Sequence, residues 1–380
     1  MADRVAREPA GGKGYSDPVL IASILLLTGI GLVTLYSSSY AYANREFGNG
    51  LYFISRQLML GMIGLALFVL ASLFPLKLLR KWMQPIVVIT LLLCILTLFP
   101  GIGVTKNGAS RWIRFGASTY QPSELVKLVL PLYLAHIFDK KFDQIHSLSS
   151  GLAPPALITT LFFVVIYFQN NISTALFIIF NALFMFFLAG VRIRFFIGAA
   201  VILFPLSSFL VLTKEHRLRR LISFIWPDWE PLGAGFQVRS SLLTISSGGI
   251  LGKGIGQGTR KNASVPEIQS DFIFSSYAEE FGFIGVLLFY LVIAGFAVRG
   301  YQAALQTDDR FQRLLACGLV TIIISQTLIN IAVVSGALPA TGIPLPFFSA
   351  GGSSLATTLT IAGFIVNISR HAREPGAGRV

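Results

Sequence analysis

Asp271 stands between two stretches of opposite character. Before it runs a glycine-rich basic segment, Ser247-Gly-Gly-Ile-Leu-Gly-Lys-Gly-Ile-Gly-Gln-Gly-Thr-Arg-Lys261. After it runs the apolar segment Phe272-Ile-Phe-Ser-Ser-Tyr-Ala-Glu-Glu-Phe-Gly-Phe-Ile-Gly285. A carboxylate at the mouth of a membrane helix is costly and marks a functional site unless it merely caps the helix. Its neighbours suggest the chemistry. Lys253, Arg260 and Lys261 are cations, with Arg111 and Arg114 as weaker candidates and Glu267 as a nearby polar group. The glycines at 248, 249, 252, 254, 256 and 258 would let backbone amides approach an anion, as phosphate nests do. The pattern fits one base beside an anion-binding surface.

Further acids follow along the same run. Counted along a helix at about 1.5 Å per residue, Glu279 and Glu280 fall about 12–13 Å from Asp271. Glycosidase carboxylate pairs stand only about 5–9.5 Å apart, and Glu280 points to the opposite helix face. These glutamates are therefore expected to serve structure, proton relay or cation binding. A single carboxylate suffices when a sugar leaves a lipid pyrophosphate, because that leaving group needs no general acid. A base on the attacking hydroxyl then contributes about 10²–10⁴-fold, and cations stabilise the departing charge. Glu124 and Lys127, three residues apart at the start of another apolar run, are expected to pair on one helix face.

The elements that must hold these groups are membrane helices. The 380 residues are 54% hydrophobic and 12% charged, with mean hydropathy +0.72. That is too apolar for a water-soluble chain of this length. The charge of +13 is spread thinly between lipid-length runs, which argues against nucleic-acid binding. Cys94 and Cys317 lie within apolar runs, and the four histidines show no metal-ligand spacing. Lys253 does not complete a nucleotide-binding loop either: Ser247 and Gly254 stand where a Walker sequence needs Gly and Ser or Thr. Val19–Tyr36 runs too long for a cleaved signal segment of about 7–15 apolar residues, so the first helix is expected to be retained.

About ten spanning helices are expected, at 18–39, 51–74, 83–99, 122–138, 152–169, 172–190, 195–213, 272–297, 313–335 and 351–369. The fold class is thus an all-α polytopic membrane protein. Residues 1–17 form a cytoplasmic tail, 18–370 one transmembrane domain and 371–380 a second tail. A large outer loop, about 214–271, joins helices seven and eight. Arg80, Lys140, Arg194, Arg299 and Arg313 gather on one side and set it as cytoplasmic, which turns Asp271 outward. Residues 214–226 put Leu218, Leu221, Ile222 and Ile225 on one face, with Arg217 and Arg220 on the other, as in a helix lying on a membrane. The three prolines of 338–349 forbid a regular helix and predict an outer loop or a re-entrant segment buried against protein.

Several motifs occur in a fixed order: Tyr15-Ser-Asp-Pro18, Gly31-Leu-Val-Thr-Leu-Tyr-Ser-Ser-Ser39, Gly108-Ala-Ser-Arg-Trp-Ile-Arg-Phe-Gly116, Gln121-Pro-Ser-Glu-Leu-Val-Lys127, Pro266-Glu-Ile-Gln-Ser-Asp-Phe-Ile-Phe274, Glu279-Glu-Phe-Gly-Phe-Ile-Gly285, and Leu338-Pro-Ala-Thr-Gly-Ile-Pro-Leu-Pro346 with Ser349-Ala-Gly-Gly-Ser-Ser354. Over residues 15–370 this set resembles the SEDS family (shape, elongation, division and sporulation), the FtsW/RodA-type peptidoglycan polymerases. The resemblance implies a ten-helix glycosyltransferase of the bacterial cytoplasmic membrane that polymerises lipid II on its outer side. It places the family's catalytic aspartate on Asp271. It implies as partners a class B penicillin-binding protein and other division proteins, in addition to membrane lipid. The N-terminal motifs look closer to the division branch, active at the septum, than to the RodA-type elongation branch. A lipid II flippase and a non-catalytic scaffold are the rival readings. No cofactor is required by the residues; a divalent cation is the one candidate, with its ligands unknown. The chain departs from the family pattern at Asn171, where an acid is usual, at Gln269-Ser270, where His-Thr is usual, and at Ala350, where Tyr is usual.

Overall fold

The computed structural model describes residues 16–370 except 107, 117, 227–234 and 259–267. Among these residues thirteen α-helices follow in order: α1 Pro18–Phe47, α2 Tyr52–Leu73, α3 Leu76–Lys81, α4 Met83–Leu96, α5 Pro122–Lys140, α6 Ala153–Phe168, α7 Ile172–Leu188, α8 Ile193–Leu212, α9 Glu215–Ile225, α10 Phe236–Gly248, α11 Ile273–Leu305, α12 Arg310–Val334 and α13 Gly352–Ser369. All ten expected spans are present as helices. By length and composition seven of them can cross a membrane, counting Leu148–Phe168 as one, while Met83–Leu96 and Ile172–Leu188 are shorter apolar helices. The chain is a multi-pass helical membrane protein.

Between α4 and α5, in the stretch left between two expected helices, lies a small antiparallel sheet, β1 Gly103–Lys106, β2 Ala109–Phe115 and β3 Ser118–Tyr120 in that spatial order. Gly108 and Gly116 lie at the two turns with φ of 73° and 58°. Glycine adopts that backbone without strain.

α12 and α13 form the buried centre of the bundle, with most of their residues shielded. Small residues let α2 lie close against α13. A Cβ on Gly64 would fall 2.8 Å from Leu359, and one on Gly363 would fall 2.5 Å from the Phe68 carbonyl. α8 is the opposite case, since Leu210 is its one buried residue. Residues 338–349 are irregular, as their prolines predict; Leu338 and Gly342 are exposed, while 345–349 are buried, with Leu345 and Phe348 each 1% exposed.

Two expectations change within 214–271. α9 is present, yet Arg217 belongs to its buried side. Its guanidinium donates to the Leu210 carbonyl at 2.9 Å and stacks over Tyr167, closing the C-terminal end of α8. The second change concerns α10 and the glycines after it. They run beside α11 as far as Phe283 and Ile284, whose amides donate to the Gly249 and Ile250 carbonyls at 2.9 and 3.2 Å. That stretch is a hairpin packed along α11, within the expected outer loop.

Candidate active site

Asp271 lies in the turn before α11. Phe272, and not Asp271, is the helix N-cap, and no side chain caps that end. The turn is strapped to the bundle through three successive carbonyls. Gln269 O accepts from Ala350 N at 2.8 Å, Ser270 O from the Ser349 hydroxyl at 2.5 Å, and Asp271 O from Asn330 Nδ2 at 2.8 Å. Ser349 Oγ in turn accepts from Leu345 N at 2.8 Å. Gln57 on α2 ties down the other side, donating to Ser349 O at 3.1 Å and accepting from Gly351 N at 3.2 Å. Across from the carboxylate, a Cβ on Gly342 would sit 3.2 Å from Asp271 Oδ2. The Gly342 φ of 72° is one that suits glycine. Asp271 is held by irregular backbone whose polar groups are satisfied inside the protein.

Charges reach this turn from β2 and α9. Burial pushes the Arg111 guanidinium below its ordinary pKa; the negative charges of Asp271 and Glu124 oppose that shift, and Arg220 adds to it. Arg111 therefore shares a field with Asp271, Arg220 and Glu124. Its guanidinium lies over Trp112 at 4.4 Å, and its Nε is buried with no hydrogen-bond partner among the described residues. Arg114 points elsewhere for a reason of parity. Side chains alternate along a strand, so Arg111 shares the inner face with buried Ile113 while Arg114 is exposed. On β3, Tyr120 is pushed up to about 12 by burial and then by the Glu124 charge.

The expected Glu124–Lys127 pair is present at 2.8 Å, with side chains only 5% and 4% exposed. Lys127 also donates to Gln326 Oε1 at 3.0 Å. A narrow cleft beside Lys127 continues away from Asp271 between α5, α7 and α12, lined by Pro131, Phe177, Asn181 and Met185.

Lys253, expected to contact an anion, is engaged within the protein here. Its ammonium binds Glu279 Oε1 at 2.8 Å and the Ser247 hydroxyl at 3.1 Å. The glycine amides around it are occupied too. Lys253 N and Gly254 N donate to the Glu279 and Glu280 carbonyls at 3.0 Å each, and Gly256 N donates to Glu280 Oε1 at 3.1 Å. The cause is Gly282. Its φ of 64° breaks α11, and the hairpin supplies hydrogen bonds the helix forfeits there. Ser37 of α1 donates to Glu280 as well. Glu279 and Glu280 thus both bind the hairpin, and the amides of Lys253, Gly254 and Gly256 are taken up by contacts to α11. Arg260, Lys261 and Glu267 lie outside the described residues. Among the described residues no group of three or more His, Cys, Asp or Glu could hold a metal ion.

Residues 18–374 match the family model described as "Cell cycle protein", that of FtsW, RodA and SpoVE. The chain belongs to this family. It is 38% identical over 353 residues to the "Probable peptidoglycan glycosyltransferase FtsW" of Geobacter metallireducens, covering 93% of this chain and 94% of that one. It is also 38% identical over 367 residues to "Stage V sporulation protein E" of Bacillus subtilis, covering 95% and 99%. Among solved structures, a chain of a "peptidoglycan synthase complex" superposes with TM-score 0.76 at 27% identity, covering 93% of this chain and 98% of that one. The Thermus thermophilus "Rod shape determining protein RodA" superposes with TM-score 0.69 at 26% identity, covering 95% and 98%.

Within this FtsW/RodA-type frame, the departures at Gln269, Ser270 and Ala350 leave the strap intact, because backbone atoms of those residues make its bonds. Asn171, replacing the usual acid, is 5% exposed, and its Nδ2 has no partner among the described residues. Arg220, Asn330, Gln326 and Gly342 were absent from the sequence-based candidates. The available signal was on α12, where Gln326 and Asn330, both amides, stand four apart on a largely apolar helix.

Proposed function

We propose that Asp271 is the general base of the peptidoglycan glycosyl transfer that this FtsW/RodA-type enzyme carries out. The observation that carries the proposal is the strap: three hydrogen bonds to the 269–271 carbonyls hold the Asp271 turn at one end of the bundle, beside Gly342 and in the field of Arg111. A fixed base next to a cation is what inverting transfer from a lipid pyrophosphate requires. Asp271 takes the proton of the 4-hydroxyl of the acceptor lipid II. That oxygen attacks the anomeric carbon at the end of the growing strand, and undecaprenyl pyrophosphate leaves as a stable anion. Arg111 and Arg220 are the cations placed to meet that charge, a role for which Lys253, bound to Glu279, is less suited.

The site faces outward in this reading, since Arg299 and Arg310 stand at the far ends of α11 and α12 from the Asp271 turn. The similarity to proteins named FtsW favours septal synthesis. A class B penicillin-binding protein is the partner, by analogy with the synthase complex. Burial of Glu124, Lys127, Glu279 and Glu280 to 4% exposure or less favours an enzyme over a flippase, whose headgroup path needs accessible charge. The test is lipid II polymerisation by purified Asp271→Asn protein with its partner, with and without divalent cation. Loss of polymer with the fold intact is expected; wild-type polymerisation refutes the assignment, and lipid translocation without polymer by the unmodified protein favours the flippase.

A further inference from the structure

Two side-chain amides on α12 frame the backbone around Asp271. Gln326 and Asn330 are four residues apart, hence on one face. They are 2% and 1% exposed. Asn330 Nδ2 spends both hydrogens on backbone, one on Asp271 O and one on Ile343 O, each at 2.8 Å. Both partners are acceptors, so the amide orientation is fixed. Its Oδ1 is left buried with no partner among the described residues. Gln326 repeats the pattern one turn away. Its Nε2 donates to Pro344 O at 2.8 Å, and its Oε1 accepts from Lys127, the partner of Glu124.

The need for such donors follows from the prolines. Pro344 and Pro346 keep this segment out of a helix, so the Ile343 and Pro344 carbonyls have no helical amide to accept from. Any buried donor would meet that need. Asn330 does more, because one nitrogen joins both walls of the site. It holds Asp271 on one side and Ile343 on the other, and Gly342, next to Ile343, stands against Asp271 Oδ2. An orphaned buried acceptor costs stability, so Oδ1 is a poor feature for a residue kept for folding alone.

We infer that Asn330 is a positioning residue that sets the Asp271 carboxylate against the 341–344 wall, with Gln326 extending the frame to the Glu124–Lys127 pair. The inference rests on the reading of Asp271 as the base. A displacement of about 1 Å in a reacting group can cost about 10²-fold in rate. The test uses the full chain with its partner and lipid II, comparing Asn330→Ala, Asn330→Ser, Gln326→Glu and Asp271→Asn by kcat, KM and thermal midpoint. Asn330→Ala is expected to lower kcat by about 10²-fold while KM stays within about twofold, the signature of an interaction that matters in the transition state. Asn330→Ser, which keeps one donor, should fall between. Gln326→Glu, which keeps the Lys127 contact and loses the bond to Pro344, should lose less.

A lower midpoint with kcat intact, or kcat and KM worsening together, overturns the inference and makes Asn330 a folding residue. So does failure of both Asn330 variants to fold. Full activity of Asp271→Asn removes the base reading and this inference with it. An inactive Asp271→Asn beside a normal Asn330→Ala removes the inference alone.

Discussion

Replacing Lys253 with Met separates a structural cation from a substrate cation. The Glu279 carboxylate is 0% exposed and the Lys253 side chain 30%, with 2.8 Å between the charged atoms. Removing one partner of a buried pair strands the other charge and costs about 3–5 kcal/mol. Here the lower end applies, because Lys253 is partly solvated and the Ser247 hydroxyl still donates to Glu279 at 3.1 Å. For a chain of this size, soluble-protein entropies convert about 3 kcal/mol into a fall of roughly 4 °C in thermal midpoint. Lys253→Met should therefore melt lower in detergent, and Lys253→Met/Glu279→Gln should recover at least half of the loss because no charge is then stranded. The KM for lipid II should stay near wild type in both. An unchanged midpoint together with a raised KM refutes the reasoning and returns Lys253 to the substrate.

Gly282→Ala should cost at least the roughly 1–3 kcal/mol of a left-handed non-glycine residue. The new Cβ would also fall 2.2 Å from Gly252 N; a wild-type midpoint and normal yield from membranes would show that the hairpin is not docked on α11. Arg111→Met should lower kcat/KM by about 10²–10³-fold, as loss of one preorganised electrostatic donor does. Arg111→Lys, which keeps the charge but not the flat stacking on Trp112, should lose less; equal activity of the Met variant and wild type removes Arg111 from the reaction.

The ten apolar helices were legible because lipid imposes a length of apolar sequence that soluble folds do not. The Glu124–Lys127 pair was legible because i,i+3 spacing is a property of any helix. Asp271 stood out because carboxylates are rare at such places, and its turn before α11 needed no tertiary information. What surrounds Asp271 was not legible. Asn330 reaches the turn across 59 residues of chain and Ser349 across 79, and only the packing of α12 and the proline segment on the 269–271 turn joins them. Gly342 arrives with the same segment. Nor could the role of the glycine-rich stretch be read locally. Backbone amides that can cradle a phosphate can equally meet carbonyls freed by a broken helix, and the break at Gly282 chose the second use for the amides around Lys253. Local sequence determined which residues could bear charge in a membrane; long-range packing decided which charges meet, because ion pairs and hydrogen bonds act over a few ångströms that neighbours in sequence alone do not control.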